Sequence, residues 1–384
     1  MKKIPTFVLV FFGLMSAKGQ VVSGSGSTLI GQDSTNKVVT TAVPFLNITP
    51  DSRAAGMGDT GVATEADANS SYWNTAKLVF IEDDYGASLS YTPWLAKIVS
   101  DIYIFYLTGF YKINKQSVVA TSMRYFTLGS IDFNDGPNPN DQLGSFTPRE
   151  FSFDVTYSRL LTKSFSIGGA LRYIHSNLTG KFSGQGNDAR PANTAAVDLG
   201  IYYTKPLGQN NSKLALGLAV SNIGGKITYS DAANKDFLPA NLRFGGAYTF
   251  ELDPLNKFNF ALDFNKLLVP SPGPDRRSKA MLAGVFQSFS DAKGGFGEEL
   301  KEITASFGVE YWYNKLVSGR FGYFLEAKEK GNRKYFTLGL GIRYINLGLD
   351  VAYLIPSNKR ENALAETLRV SLMFQLKKKV KAEN

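Results

Sequence analysis

The sequence of 384 residues contains no cysteine and a single histidine, His175. The absence of cysteine excludes both disulfide bonds and thiol catalysis. A serine-type hydrolase needs a histidine base beside its nucleophile, whereas His175 is in step with Leu171 and Tyr173 on the apolar side of its segment. No cluster of His, Asp and Glu in the sequence has the spacing of metal ligands. We therefore expect no catalytic residue, no metal and no cofactor.

Long hydrophobic runs are also missing, apart from the apolar stretch at 4–15. Lys2 and Lys3 precede this stretch and small residues follow it, which is the order of a secretory signal peptide. We assign residues 1–19 to the signal peptide, with cleavage before Gln20. Since no cysteine follows, we expect no lipid anchor. No later segment reaches the roughly 18 to 20 apolar residues that a membrane-spanning helix needs.

Charge of one sign is not concentrated in the sequence. The formal net charge is +9, and three of the lysines belong to the predicted signal peptide. The remaining basic residues are scattered, so no nucleic-acid partner is expected. The one basic run, Lys377-Lys378-Lys379-Val380-Lys381, is interpreted as a solvated periplasmic tail.

Aromatic residues and glycine are abundant: aromatic residues make up 13% of the chain, and there are 37 glycines. From Tyr85 onward, segments of about ten residues alternate large apolar residues with small or polar ones. In 213–222, for example, leucine at every second position alternates with alanine, glycine and serine. This pattern predicts strands with one face toward lipid and the other toward a polar interior, as in an outer-membrane β-barrel.

The alternating segments predict an all-β fold, a transmembrane barrel of fourteen antiparallel strands. The predicted strands are 85–94, 102–113, 117–127, 149–160, 164–177, 194–206, 213–224, 241–251, 257–268, 303–313, 317–328, 334–345, 347–355 and 367–377. Short turns alternate with longer links at 128–148, 178–193 and 226–240. Outer-membrane barrels have short periplasmic turns and long outer loops, so both chain termini are expected in the periplasm.

Residues 278–290 could form a fifteenth strand, but an odd number would place the two ends of the barrel chain on opposite sides of the membrane. We interpret 269–302 instead as one outer loop with a short amphipathic helix. The residues with helical spacing are Met281, Leu282, Val285, Phe286 and Phe289. The apolar face of this helix either packs on the barrel rim or is offered to a partner.

The stretch AAGMGDTGVA at 54–63 has the G-x-G-x-x-G spacing of a dinucleotide-binding loop. That motif requires a buried strand before it and a compact βαβ unit around it. The preceding residues are polar and interrupted by Pro50, so the nucleotide interpretation fails. We predict instead that 20–80 is an N-terminal periplasmic or lumenal segment that plugs the barrel formed by 81–384. Its small residues would let the backbone run close to the barrel wall.

Charged residues on the inward strand faces are expected to pair with each other and with the plug. The inward set comprises Asp154, Arg172, Asp198, Arg243, Asp263, Arg320, Glu326, Arg343 and Arg369. The plug residues expected in the lumen are Arg53, Met57, Gly58, Asp59 and Asn74. A path for a solute is the alternative use of such a lumen.

The segment SRAAGMGDTGVATEADANSSYWNTAKL, at 52–78, resembles the N-terminal signature of outer-membrane barrels related to the long-chain fatty acid transporter. That signature reads Arg-Ala-x-x-Met-Gly, an Ala/Asp stretch and Asn-Pro-Ala-x-Leu, and Thr75 replaces the proline here. Within this FadL-like superfamily, the stretches at 43–64, 70–78 and 286–303 are similar to the PorV (LptO) family of the type IX protein secretion system. The related PorQ barrels share the general N-terminal pattern.

This resemblance implies a non-enzymatic subunit in the outer membrane of a Gram-negative bacterium, in contact with its lipid. The implied partners are the large type IX translocon barrel, cargo proteins with a type IX C-terminal sorting domain, and a surface sortase-like peptidase. Binding would use the outer loops, for which we propose Phe286, Phe289, Phe296 and Leu300, with Trp94 and the loop 130–147 as secondary contacts. The alternatives are a FadL-like transporter of hydrophobic solutes and an outer-membrane hydrolase.

Overall fold

The computed structural model describes residues 38–94, 101–134, 142–178, 190–208, 211–229, 235–273, 276–357 and 367–376. Within these ranges the chain forms a closed antiparallel barrel of fourteen strands, a two-stranded hairpin and an N-terminal plug. The predicted signal peptide and basic tail lie outside the described residues.

The barrel strands follow one another around the wall in chain order. The sixteen strands, β1 to β16, are Tyr85–Pro93, Ile102–Asn114, Ser117–Leu128, Ile131–Asn134, Gln142–Phe146, Arg149–Thr162, Phe165–Asn177, Ala192–Pro206, Lys213–Gly224, Asn241–Glu251, Asn256–Leu267, Ile303–Tyr313, Val317–Leu325, Lys334–Tyr344, Leu347–Pro356 and Leu368–Leu376. β4 and β5 form the hairpin, which was not predicted, and β1 pairs with β16 to close the barrel. The predicted fourteen barrel strands are confirmed.

The alternation of side chains explains why these segments form a membrane barrel. Along β9, Leu214, Leu216 and Leu218 are exposed on the outer surface, whereas Ala215 and Ala219 are buried. Successive side chains of a strand point to opposite faces, so the apolar set meets the hydrocarbon core of the bilayer. Closure leaves no unpaired strand edge in lipid, where an unsatisfied backbone group is costly.

The two ends of the barrel differ in their connections. At one end, which we call the short-turn end, β1 begins, β16 ends and neighbouring strands are joined by turns such as 163–164 and 345–346. At the opposite, long-loop end the links are longer, and residues 268–302 separate β11 from β12. This confirms the predicted asymmetry of the connections.

The N-terminal segment crosses the lumen as short helical pieces. α1 (Ser52–Ala55) and α2 (Ser70–Trp73) are single helical turns, and 3-10 turns lie at Pro44–Asn47 and Thr75–Phe80. Helices of this length are not stable alone in water. Their order therefore comes from contacts with the barrel wall.

The first of these helices lies against the seam where the barrel closes. The Oγ of Ser371 on β16 accepts a hydrogen bond from the backbone N–H of Ser52 at 2.9 Å and donates to the Ser52 Oγ at 3.0 Å. The same oxygen lies 2.7 Å from the Oγ of Ser90 on β1. The plug therefore contacts the last strand directly and is linked to the first strand through Ser371.

Close packing explains the glycines of the G-x-G-x-x-G stretch. Gly58 has a φ of +69°, and a Cβ there would lie 2.6 Å from the backbone N of Tyr323 on the wall. On the wall side of this contact, a Cβ on Gly322 would overlap the backbone N of Gly58. Within the plug, a Cβ on Gly61 would overlap the Trp73 ring. The small residues let the plug backbone touch the wall directly, as predicted.

The link between β11 and β12 contains two helices, α3 (Met281–Gln287) and α4 (Phe296–Lys301). The first confirms the predicted amphipathic helix, and residues 278–290 are not a wall strand. α4 was not predicted because the glycines at 294, 295 and 297 conceal its helical pattern. Within the described ranges, no helix has the length and apolarity needed to span a bilayer.

The contact between plug and wall predicts an asymmetric effect of two glycine substitutions on β13. Gly322→Ala adds a methyl group at a position that the Gly58 backbone already occupies. Overpacking of this kind should lower the free energy of unfolding by about 1–3 kcal/mol. Gly319→Ala, on the same strand, has no atom within 4 Å of its new Cβ and should have little effect. Urea unfolding of the refolded barrel, followed by tryptophan fluorescence, measures both. Equal midpoints for the two variants would contradict a plug seated on this wall.

Candidate functional site

A buried ion pair fixes the plug to the barrel wall. Arg53 of α1 donates from Nε and Nη2 to the two carboxylate oxygens of Glu310 on β12, both at 2.9 Å. Glu310 also accepts from the Nε of Arg320 on β13 at 2.8 Å, and Arg53 donates to Asp67 of the plug at 2.9 Å. Because a bidentate guanidinium–carboxylate contact fixes orientation as well as position, this pair sets the register of the plug.

The ion-pair network continues along the wall toward the short-turn end. Arg320 donates to Asp350 on β15 at 2.8 Å, and Asp350 also accepts from Arg343 at 2.7 Å. Arg320 and Asp350 are fully buried, whereas Arg343 is half-buried. Positive and negative groups alternate along the network, which offsets the loss of hydration of each charge.

A second set of contacts holds the glycine-rich turn of the plug. The Oδ2 of Asp263 on β11 accepts from the backbone N–H groups of Gly61 and Val62 at 2.6 and 2.8 Å. The side-chain amide of Asn74 donates to the carbonyl oxygens of Val62 at 3.1 Å and of Ile201 on β8 at 2.9 Å. Side chains from the wall and the plug thus satisfy backbone groups that water cannot reach.

Burial changes the acidity of two plug groups. The Nζ of Lys77 donates to the carbonyl oxygen of Gly61 at 2.5 Å, and burial lowers the pKa of this lysine to about 8. Asp51 accepts from the indole N–H of Trp73 at 2.7 Å. Burial, with a contribution from the nearby Asp67, raises the pKa of Asp51 to about 6. Both shifts show that the inner part of the plug is poorly hydrated.

Tyr72 of α2 lies between two arginines of the wall. The guanidinium of Arg243 lies 4.7 Å from the centre of its ring, and that of Arg124 lies 4.6 Å from it. Arg243 also donates to the backbone carbonyl oxygen of Tyr72 at 3.1 Å and to its hydroxyl at 3.0 Å. Cation–π contacts are strongest when both groups are desolvated, as they are here.

The remaining predicted lumen residues are also placed inside the barrel. Met57 is buried between plug and wall, and Asp59 accepts from the hydroxyl of Tyr335 at 2.6 Å. The other inward charges form ion pairs, which join Arg172 to Asp154 and Asp198, Glu326 to Arg333, and Arg369 to Asp59.

Three buried charged residues that hold the plug or the network were not on the predicted list, namely Glu310, Asp350 and Arg124. The alternation could have found them. Glu310 is in step with Gly308 and Ser306 on the small-residue face of its strand. Asp350 and Arg124 also lie on the small-residue faces of their strands. The alternation identifies the face on which a residue lies, but it does not identify its partner.

One side of α3 packs on the barrel rim. Val285 is buried and, with Met281, lies against Ala240 and Leu268. The first of the two alternatives for this helix, packing on the rim, is therefore correct for one of its sides.

The opposite side of the same link presents apolar side chains to the exterior. We call residues 276–302 the rim loop. Phe286 is 73% exposed and Phe296 is 78% exposed, and Leu282, Phe289 and Leu300 are also exposed. These side chains include all four rim-loop residues proposed from the sequence as partner contacts. An exposed apolar surface of this kind is typical of an interaction site.

Ion pairs hold α4 against the rim. Glu302 accepts from Lys266 of β11 at 2.6 Å and from Lys330 at 2.8 Å. Lys266 also binds Glu299, and Lys330 also binds Glu298, both at 3.0 Å. Burial alone would raise the pKa of Glu302, but the hydrogen bonds from the two lysines lower it. The rim loop is thus fixed by apolar packing under α3 and by ion pairs under α4.

The two secondary contacts proposed from the sequence are placed differently. Trp94 is half-buried and packs against an apolar cluster that includes Phe45 of the plug and Ile104 of β2. The loop 130–147 carries the hairpin of β4 and β5, on which Ile131 is exposed, and its residues 135–141 lie outside the described part of the chain. Only the hairpin retains an apolar side chain available to a partner.

The lone histidine lies on the outer face of the barrel. The Nδ1 of His175 is 2.8 Å from the Oδ1 of Asn193, and its ring lies 5.0 Å from that of Phe151. Among the described residues, no group of three or more His, Asp or Glu side chains could hold a metal ion. The plug thus occupies the lumen, and exposed apolar side chains lie at the rim.

The family model of the type IX secretion system protein PorV matches residues 31–274. This chain belongs to the PorV family. The match spans more than half of the sequence, from before the plug through β11, and ends before the rim loop. As a member of the PorV family, the chain is an outer-membrane component of the type IX secretion system of Gram-negative bacteria.

Several solved structures are similar to this PorV-family chain. The toluene transporter TodX of Pseudomonas putida has 12% identity and a TM-score of 0.49, with 83% of this chain and 95% of that chain covered. The toluene transporter TbuX of Ralstonia pickettii has 12% identity and a TM-score of 0.48, with 85% and 98% covered. A FadL homologue of Pseudomonas aeruginosa has 10% identity and a TM-score of 0.47, with 88% and 99% covered. No curated protein sequence matches the chain.

Removal of the central carboxylate should loosen the plug. In Glu310→Gln, Arg53 and Arg320 lose their shared counter-ion, and breaking such a buried pair destabilises a protein by about 3–5 kcal/mol. Protease sensitivity of the plug and urea unfolding of the barrel both measure the effect. The matched control is Glu329→Gln, which breaks only the exposed pair with Lys301. It should leave the protease sensitivity of the plug and the urea unfolding of the barrel unchanged. A plug that resists protease equally in the two variants would show that this ion pair does not hold it.

Proposed function

We propose that this chain is a non-enzymatic adaptor of the type IX secretion system. It binds cargo that carries the type IX C-terminal sorting domain as the cargo leaves the large translocon barrel, and it passes the cargo to the surface sortase-like peptidase. The observation that carries the proposal is the exposed apolar surface of the rim loop, above all Phe286 and Phe296.

This surface has the properties of a docking site for protein. Its aromatic side chains project from a loop that apolar packing and buried ion pairs hold on the rim. A rigid aromatic anchor loses little conformational entropy on binding, and such anchors carry much of the energy of protein interfaces. The rim loop therefore offers the translocon or its cargo a prepared surface outside the bilayer.

The plug favours an adaptor over a transporter of hydrophobic solutes. The lumen is crossed by a segment whose backbone touches the wall at Gly322. Its Arg53 pairs with Glu310, and its backbone N–H groups at Gly61 and Val62 donate to Asp263. A solute path through the barrel would require these contacts to break. Binding at the rim requires no such change.

The proposed orientation places the short-turn end, with both chain termini, in the periplasm. Residues 1–19 are the proposed export signal, 20–80 the periplasmic and lumenal segment, and 81–384 the barrel with its basic periplasmic tail. In this orientation the rim loop faces the cell surface, where secreted cargo emerges. The contrast between short turns and long loops supports it.

The absence of cysteine makes the orientation directly measurable. Lys293→Cys places a thiol on the exposed rim loop, and Lys115→Cys places one on an exposed turn at the short-turn end. A membrane-impermeant maleimide applied to intact cells should label the first variant and not the second. After the outer membrane is permeabilised, both should react. Labelling of only the Lys115→Cys variant in intact cells would reverse the proposed orientation.

Substitution of the rim aromatics should weaken partner binding without unfolding the barrel. The variant with Phe286→Ser and Phe296→Ser removes the two most exposed aromatic side chains of the rim loop, and we expect recovery of the translocon barrel and of cargo in co-purification to fall by about tenfold or more. The matched control carries Leu252→Ser and Leu255→Ser, exposed leucines in a turn at the short-turn end. The control variant should recover the translocon barrel and cargo to the same extent as the unaltered chain. The proposal fails if both double variants recover partners equally, or if surface delivery of sorting-domain proteins does not need this chain.

A further inference from the structure

A cavity of about 340 Å³ lies between the plug and the long-loop end of the barrel. Its lining includes Tyr72 and Trp73 of the plug, Arg243 of β10, Asn265 of β11 and Phe324 of β13. This volume is within the range of sites that bind small molecules. The cavity is separate from the rim aromatics Phe286 and Phe296, which do not line it.

Arg243 is the cation of this cavity that has no carboxylate partner. It is 5% exposed, and within the described residues it makes hydrogen bonds to Tyr72 and cation–π contacts with Tyr72 and Trp73. These hydrogen bonds use two of the five N–H donors of a guanidinium. The other charged groups of the lining are paired, namely Glu302 with Lys266 and Lys330, Glu326 with Arg333, and Asp59 with Tyr335.

Two other buried acids of the wall make their hydrogen bonds to groups other than Arg243. Asp263 accepts from the plug backbone at Gly61 and Val62, and Asp198 accepts from Arg172 and from the backbone N–H of Asn222. Neither of these carboxylates accepts a hydrogen bond from Arg243. A buried guanidinium with free donors is most strongly stabilised by an anion that it can bind directly.

The rest of the lining defines what such an anion would carry. Aromatic rings of Tyr72, Trp73, Phe324 and Tyr335 surround the cavity, and the last two are stacked at 4.8 Å. The Oδ1 of Asn265 is buried and lacks a hydrogen-bond partner, so it can accept from an N–H of a ligand. Beside its paired ionic groups, the lining therefore offers one cation without a carboxylate partner, one free acceptor and several apolar faces.

We propose that this cavity binds a carboxylate attached to an apolar or aromatic group, with Arg243 as the counter-ion and Asn265 as an acceptor for an adjacent amide N–H. A free organic acid and the C-terminal residue of a protein both present this chemistry. The carboxylate would enter from the long-loop end, since the cavity lining lies at that end of strands β10 to β14.

The test compares acids with their uncharged amides on the purified full chain in detergent. The probes are N-acetyl-phenylalanine and 4-phenylbutyrate, each with its primary amide, titrated by calorimetry and by quenching of tryptophan fluorescence. Each acid should bind at least about tenfold more tightly than its amide, the ratio expected for one charge-assisted contact. Equal affinities, or no binding of any probe at millimolar concentration, would overturn the proposal without the need for a variant.

Two arginine variants localise the effect. Arg243→Gln should remove the preference for acid over amide. Arg159→Gln is the control, because Arg159 is exposed at the short-turn end of β6 and does not line the cavity, and it should retain the preference. Loss of the preference in both variants, or in neither, would overturn the assignment to Arg243. Arg243→Lys keeps the charge, so it should retain part of the preference if Arg243→Gln does not fold.

The two acids distinguish the sources of the carboxylate. Tighter binding of N-acetyl-phenylalanine, which has an amide N–H for Asn265, indicates a protein C-terminus, and tighter binding of 4-phenylbutyrate indicates a free organic acid. Asn265→Leu should reduce the difference in affinity between N-acetyl-phenylalanine and 4-phenylbutyrate. Because no component of the secretion machinery is present, the result is independent of the proposed adaptor function.

Discussion

The contact between Arg53 and Glu310 is the interaction on which the rest of the structure depends. Without the plug, the only cation bound to Glu310 among the described residues would be Arg320, which Glu310 shares with Asp350, whereas Asp350 would keep Arg343 as well. Arg53 gives Glu310 a second cation partner, held by two hydrogen bonds. Since a buried charge without a partner is strongly unfavourable, the wall requires the plug as much as the plug requires the wall.

A plug that fills most of the lumen leaves the rim as the surface on which a large partner can dock. Among the described residues of the long-loop end, the rim loop carries several exposed apolar side chains, and two different forces hold that loop in place. Apolar packing fixes α3 through Val285, and the lysines Lys266 and Lys330 fix α4 through carboxylates. The family match ends before this loop, so the proposed partner surface lies outside the segment that establishes the family.

The sequence was sufficient for the barrel because strand alternation is a local property. A period of two assigns each residue to a face, and parity of the strand count correctly excluded residues 278–290 from the wall. The pairing of Arg53 with Glu310, 257 positions apart, could not be predicted, because the alternation specifies a face and not a height along the strand. The hairpin of β4 and β5 was missed for a related reason, since strands of four and five residues are too short to show a clear period.

The hydrogen bonds between α1 and Ser371 bear on the order in which the plug and the barrel assemble. The plug is synthesised before any strand, yet Ser52 hydrogen-bonds to a residue 319 positions later, on the strand that completes the cylinder. This contact cannot form before β16 is present, so it belongs to the same final stage of assembly as the closure between β1 and β16.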